Sequence, residues 1–436
     1  MHNTQQLTNI IAANEQSKKV KKIMLFDLIT GGHHGSYIQH ILNYCYQEQF
    51  TQSIDIVVSP QFLEIHADTV NCVTNSQQSN IRIIPITAEE SFHLEAQKSG
   101  WRRFFQEWEI FCKYAKKLEV NHGLLMVFDY FQLPLLFRAK APCSISGIYF
   151  RPTFHYHKFP NYSPNFQDKV RQIRQKLLLA RVLEHPQLKN IFCLDKFAIK
   201  DIQAMNKTTK ALYLADPVKN YISYENMSMM KLKVIEKIKK LKIDKNRTIF
   251  LLFGNLDGRK GIHQVLEAMS LLPNNIAQKT SLLLVGKISS EDKHQIDEKL
   301  HQLSVSSAVQ IITCNEFVPE DEVPVYFQIA DIILTPHQQH VGMSGTILLA
   351  AAAQKPVLAS NYALAGYLVE KNQLGMTVNT KSSGAIADGI IQFIETNPQN
   401  FYDSIKMQQF AEQHSHVTFA QTLINNLFTS DSELDK

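Results

Sequence analysis

Residues 248–271 read TIFLLFGNLDGRKGIHQVLEAMSL, and this stretch decides the fold. Thr248 to Phe253 run without polar alternation, the pattern of a strand covered on both faces. A glycine-rich turn follows, and Ile262, Val265, Leu266 and Met269 then recur at helical spacing. Strand, turn and helix together make half of a βαβ unit. Working outward, further strands are expected at Ser281–Val285, Val309–Ile312 and Asp331–Leu334, with helices at Glu291–Leu303 and Val323–Ile329. The series ends in a Gly342–Gly345 turn and an alanine-rich helix. Such alternation folds as a parallel sheet with helices on both faces.

The first half of the chain repeats the pattern. Strands are expected at Lys22–Leu28, Ser53–Val58, Ile81–Ile86, Leu124–Phe128 and Ser144–Tyr149, the first leading through Thr30-Gly31-Gly32-His33-His34-Gly35 into a helix near Ser36. Trp101, Phe104, Phe105, Trp108, Phe111, Cys112, Ala115 and Leu118 form a helical stripe that reads as an aromatic core face. Near Asp216-Pro217 the alternation pauses. Lys231–Arg247 is lysine-heavy and amphipathic, with Leu232, Ile235, Ile238 and Leu241 on a narrow apolar face. The expected division is therefore a polar leader over 1–20, a first domain over 21–216, a linker with a basic helix over 217–247, a second domain over 248–400, and C-terminal helices over 401–436 that cross back. The fold class is α/β, with two doubly wound Rossmann-like domains facing a crevice.

Composition narrows the function. The 436 residues carry net charge +5 and 19% charged side chains, with 25 Phe and 15 Tyr, which describes a folded chain with ample core. A charge of +5 spread over this length is not the concentrated basic face that duplex nucleic acid requires. Six scattered cysteines without a Cys-x-x-Cys pair read as reduced thiols and a cytoplasmic location. The amino terminus lacks a signal peptide's apolar run, and no segment reaches the length of a membrane span, so the reading is soluble or peripheral at a membrane.

In such sheets ligands bind at the turns after strands. The turn Phe253–Gly261 opens a helix and carries Arg259 and Lys260, where backbone N–H groups and cations together suit a phosphate; an ordinary turn with solvated cations is the alternative. His337–Thr346 also follows a strand and opens a helix. His340, Gly342, Ser344, Gly345 and Thr346 offer close backbone approach and hydrogen-bond donors to phosphate oxygens. After the Ser144–Tyr149 strand come Arg151 and His155, with Tyr156 and His157 beside them. His33 and His34 sit in the first glycine turn, where an imidazole either completes the turn or contacts an anion or a hydroxyl. Asp129 is either an acceptor-side carboxylate or a helix cap.

From Ile249 to Asn379 these motifs, in this order, resemble the nucleotide-sugar-binding domain of GT-B glycosyltransferases, family 4 in particular: G-x-x-x-x-x-K-G after a strand, Val285-Gly286, Phe317-Val318 before a helix, Ala330-Asp331 with Pro336, and a small-residue helix before Lys355-Pro356-Val357. The first glycine turn, with Gly32, looks like the acceptor-domain loop of the same family. The resemblance implies transfer of a sugar from a UDP- or GDP-sugar to a polysaccharide or lipid-linked acceptor, with retention, no metal and no cofactor beyond the co-substrate. It assigns Lys260 to the diphosphate, Phe317 and Val318 to the nucleotide, and His155, Arg151 or His33 to the reacting sugar and acceptor. Three positions depart from the family. Its arginine falls at Asn255, which leaves Arg259 to supply the charge, and its two glutamates fall at Val341 and Leu349. The segment from His340 to Thr346 is instead similar to the phosphate loop of other GT-B transferases. A catalytically silent nucleotide-sugar-binding subunit and a sugar-nucleotide epimerase are the rival readings. The lysines of 231–247, and Arg102, Arg103, Lys116 and Lys117, are either solvated helix faces or contacts to an anionic membrane.

Overall fold

The computed structural model describes residues 21–32, 34–76, 79–97, 100–218 and 227–428. The polar leader, His33 and part of the linker lie outside the described residues. The chain divides into two compact units, one holding residues up to Phe154, Val170–Ala215 and the chain from Val417, the other His155–Lys169 and Asp216–His416.

In the first unit the elements that matter are β1 (Lys22–Asp27), α1 (His34–Gln47), β2 (Ser53–Val58), β3 (Ile81–Pro85), α2 (Trp101–Lys117), β4 (His122–Leu125), β5 (Ser144–Tyr149), β6 (Leu188–Cys193) and β7 (Lys210–Tyr213). The strands form one parallel sheet in the order β3-β2-β1-β4-β5-β6-β7. The central strands are buried on both faces, which is why β1 reads as an apolar run and β2 as one broken only by the buried Asp55. On one face Trp108, Phe111 and Ala115 of α2 enter the core; Trp101, expected in the same stripe, is exposed because it opens the helix beyond the sheet.

The second unit contains α3 (Met227–Lys240), β8 (Thr248–Phe253), α4 (Ile262–Ser270), β9 (Thr280–Val285), α5 (Lys293–Ser306), β10 (Gln310–Cys314), α6 (Val323–Ile329), β11 (Ile332–Thr335), α7 (Gly345–Ala352), β12 (Val357–Ser360), α8 (Ala363–Lys371), β13 (Gly375–Val378), α9 (Ser383–Glu395) and α10 (Ser404–Gln413). Its six strands are parallel, in the order β10-β9-β8-β11-β12-β13. The final helix, α11 (His416–Phe428), supplies Phe419, Leu423 and Leu427 to the core of the first unit.

Three details differ from the sequence reading. Residues 155–169, expected in the first domain, fold with the second unit: Phe159 packs on Tyr367 with ring centroids 5.6 Å apart, and Asn161 donates to the Asn361 carbonyl at 3.1 Å. Residues 401–416, expected to cross back, stay with the second unit, and the chain joins the first only from Val417. The basic helix buries neither Leu232 nor Ile235; Val234 and Ile238 turn inward instead, because Lys237 is anchored to Glu322 at the start of α6.

Candidate functional site

Strand order locates the sites. In each sheet the order reverses once, between β1 and β4 in the first and between β8 and β11 in the second. A doubly wound sheet binds ligands outside the carboxyl ends of its strands at that reversal. The two turns singled out in the second half of the sequence follow β8 and β11, the pair at the reversal.

The β8 turn is built as a rigid shelf. Gly254, at φ +106°, takes the chain out of the strand. Asp257 then caps a single 3₁₀ turn over Gly258–Lys260, its Oδ1 accepting the Lys260 N–H at 2.8 Å. Asp292 clamps the same turn from outside, with Oδ2 accepting the Gly258 N–H at 3.0 Å and Oδ1 lying 3.0 Å from His263 Nε2. Gly261, at φ +78°, starts α4, and a Cβ there would lie 2.2 Å from the Pro336 carbonyl oxygen. Glycine is required because the β8 and β11 turns touch through their backbones.

Gln338 locks the two turns together. Its N–H donates to the Arg259 carbonyl at 2.9 Å, and its side-chain amide donates to Pro336 and Thr380. Lys260 Nζ then donates to Thr346 Oγ1 at 3.2 Å, joining groups 86 residues apart. Ser344 occupies the N-cap position of α7 without a side-chain hydrogen bond to it, and the exposed Gly345 and buried Thr346 form the first turn. His340 turns its Nε2 onto the Met343 carbonyl at 3.0 Å, closing the loop around Gly342 on itself. A Cβ on Gly342 would stand 3.9 Å from the Tyr156 hydroxyl, so residues 155–169 reach this loop within the same unit.

The electrostatics are one-sided. Burial, then the neighbouring Arg259 guanidinium, lowers the Lys260 pKa to about 8. Burial, reinforced by Lys260, His340 and Arg259, holds His337 well below the ordinary imidazole range, so it is neutral at pH 7. Cationic groups crowded enough to depress one another gain stability when an anion arrives.

Other residues lie elsewhere. Asn255 is exposed at the tip of the β8 turn, and after β10 Phe317 is 84% exposed while Val318 is half-buried. Leu349 lines an apolar cavity between α3, α6 and α7; Val341 lies in the β11 loop. His155, after β5 in sequence, is 1% exposed, with its ring centroid 4.8 Å from that of Tyr156 and 5.6 Å from that of Phe159, and it belongs to the second unit. Arg151 belongs to the first unit and is exposed. Asp129 accepts the backbone N–H groups of Phe150 and Arg151, pinning the chain as it leaves β5, and burial raises its pKa to about 6. Gly32, at φ +68°, completes the first glycine turn. The histidine that the structure positions there is His34, with Nδ1 2.7 Å from the buried Asp27. Sequence reading also passed over Asp292 and His263; a His thirty residues from an Asp carries no local signal.

Two parallel, doubly wound domains in one chain, the second with a cationic turn pair at its reversal, constitute the GT-B fold. Residues 233–413 match the family described as glycosyl transferases, group 1. An uncharacterised glycosyltransferase of Methanocaldococcus jannaschii is 26% identical over 200 residues, 45% of this chain and 50% of that protein, so the match spans about half the length of the relative. Among solved structures, the N-terminal domain of the Candida albicans trehalose-6-phosphate phosphatase superposes with TM-score 0.68 at 13% identity, covering 95% of this chain and 97% of that one. HepE of Anabaena in complex with UDP superposes with TM-score 0.61 at 12% identity, covering 93% and 99%.

Proposed function

We propose that the protein is a glycosyltransferase that takes a hexose from a UDP- or GDP-sugar held by the second unit and passes it to a glycan or lipid-linked acceptor held by the first. The observation that carries this reading is the Lys260–Thr346 junction at the β8/β11 reversal, where Lys260, with Arg259 beside it, reaches the first turn of α7. The likeness to a structure solved with UDP supports the same ligand class. In the reaction the acceptor oxygen bonds to the anomeric carbon as the carbon–oxygen bond to the diphosphate breaks. Lys260, Arg259 and the N–H groups of the turn stabilise the charge that the diphosphate takes up. With retention, the acceptor proton passes to the departing phosphate oxygen, and no metal is required.

Incubation with a panel of UDP- and GDP-sugars and cell-extract acceptors tests the reading: release of nucleoside diphosphate with sugar incorporation is expected. Binding without turnover would favour a silent nucleotide-sugar-binding subunit, the reading that Leu349 and Val341 motivate, and absence of both would remove the assignment.

The pH dependence follows from Lys260. An anion stabilises its protonated form, so the complex binds a proton that the free site begins to lose near pH 8. Nucleoside-diphosphate affinity is therefore expected to be flat below that pH and to fall above it, by at most about tenfold per unit. Calorimetric titration at stepped pH measures this; affinity constant up to pH 10 would exclude Lys260 from the diphosphate.

Asp292→Ala should loosen the turn that carries Arg259 and Lys260. Leaving the Gly258 N–H and His263 without their acceptor costs about 1–3 kcal/mol, and nucleotide affinity should drop about tenfold. Asp292→Asn keeps an acceptor for Gly258 and should recover most of that loss. Equal affinity in wild type and Asp292→Ala would show that the clamp does not set the turn.

A further inference from the structure

α3 presents a surface that the proposed reaction does not use. Met229, Leu232 and Ile235 are 63%, 62% and 40% exposed. At 3.6 residues per turn they fall on one stripe of the helix. Lys231 borders the stripe on one side, Lys233 and Lys240 border it on the other, and Lys239 and Glu236 lie within it. All four lysines are exposed, and Glu236 is the single acidic residue of the helix. Lys237 is spent otherwise: it bonds Glu322 at 2.6 Å and lies over the Tyr326 ring, fixing α3 against α6 so that the stripe faces outward. Beside the stripe opens a cavity of about 380 Å³ whose walls include Val234, Ile235, Phe327, Leu349 and Ala352, so the apolar surface continues inward from the helix.

We infer that α3 docks the second unit on an anionic phospholipid bilayer, with the Met229–Leu232–Ile235 ridge entering the headgroup–acyl boundary and the lysines on its flanks pairing with lipid phosphates. An apolar stripe bordered by lysines on both sides is the pattern of a helix lying in a membrane interface. The four-carbon stems lie along the apolar layer while the ammonium groups reach the headgroups. The charge selects the occupant. A second copy of the chain meeting this face through a two-fold axis would set lysine against lysine, since such an interface pairs a surface with itself. A zwitterionic or basic partner leaves the cations uncompensated. The other cationic group expected to touch a membrane differs: Arg103 of α2 is paired with Glu107 at 2.8 Å. Among the described residues no helix is long and apolar enough to cross a membrane, so attachment through α3 is peripheral. The inference does not depend on the glycosyltransferase reading.

Flotation of the full chain with phosphatidylcholine vesicles, with and without phosphatidylglycerol, tests it. At about 0.1 M salt, where the Debye length is about 10 Å, the protein is expected to float with the anionic vesicles only and to be released at about 1 M. Leu232→Glu and Ile235→Glu should each cut the bound fraction at least tenfold with an unchanged melting temperature, since both side chains face solvent. Lys239→Glu with Lys240→Glu should do the same. Equal flotation on both vesicle types, no flotation, or wild-type binding by Leu232→Glu would each overturn the proposal. So would a lipid-free dimer in sedimentation velocity that Leu232→Glu converts to monomer, which would assign the ridge to a second copy.

Discussion

Gly286→Ala is expected to lower stability by about 3 kcal/mol or more, a fall of about 10 °C in melting temperature, and to take nucleotide binding down with it. Gly286 follows β9 at φ +125°, a conformation that L side chains rarely adopt. A Cβ there would lie 2.1 Å from the Gly254 carbonyl oxygen and 2.8 Å from its carbon, and both atoms are backbone that no rotamer change can move. Relief requires pulling the ends of β8 and β9 apart. They are held by Gly254 N–H donating to Val285 at 3.0 Å and Leu256 N–H donating to Lys287 at 2.9 Å, while Gly286 N–H donating to Cys314 at 2.9 Å ties the end of β9 to β10. The first residues displaced are those leading into the Gly258–Lys260 turn, so the loss of affinity should exceed what the global loss of stability explains. Thermal melts with and without saturating UDP or GDP measure both. A melting temperature within two or three degrees of wild type would mean that the β8 and β9 ends separate at little cost.

The two doubly wound sheets were legible because their strands are buried on both faces and therefore read as apolar runs, each closed by a turn. β6 and β7 were not. Leu188–Cys193 carries Lys189 and Asn190, and Lys210–Tyr213 has only four residues, so neither shows an unbroken run. β12 and β13 are equally short. At the candidate site the turns holding Lys260 and Thr346 were visible as glycine turns between strand and helix. Their adjacency was not, because it depends on β11 pairing with β8, and strand order is a long-range property. His155 reads as a sheet-mouth residue because it comes soon after the Ser144–Tyr149 strand, beside Arg151. Its burial follows from the aromatic side chains of 156–159 packing onto α8, which no local pattern encodes. His340 Nε2 lies 3.0 Å from the Met343 carbonyl within its own loop, at a spacing where ligand binding and loop closure look alike in sequence.

Lys260→Met should move stability and binding in opposite directions, raising the melting temperature by a few degrees while weakening nucleoside-diphosphate affinity about tenfold or more. Burial and the Arg259 guanidinium lower the Lys260 pKa to about 8, so folding disfavours the ammonium that the lysine carries at pH 7. Methionine keeps the apolar stem and removes the charge, and Thr346 Oγ1 loses a single donor. In the wild type the same unfavourable charge becomes the source of affinity, because an arriving diphosphate supplies the counter-charge that the fold withholds. A lysine serving structure alone would behave otherwise: its loss would lower the melting temperature and leave affinity untouched. Arg259→Ala separates the two contributions further. Arg259 is exposed and only 3.5 Å from Asp257, so its removal should leave stability near wild type. It should also raise the Lys260 pKa toward the ordinary lysine value, shifting the pH at which diphosphate affinity begins to fall upward from about 8. Differential scanning fluorimetry and calorimetric titration on the two variants read all of these signs. A Lys260→Met protein that is less stable and binds as tightly as wild type would assign Lys260 to the scaffold and move the anion site away from the β8/β11 reversal.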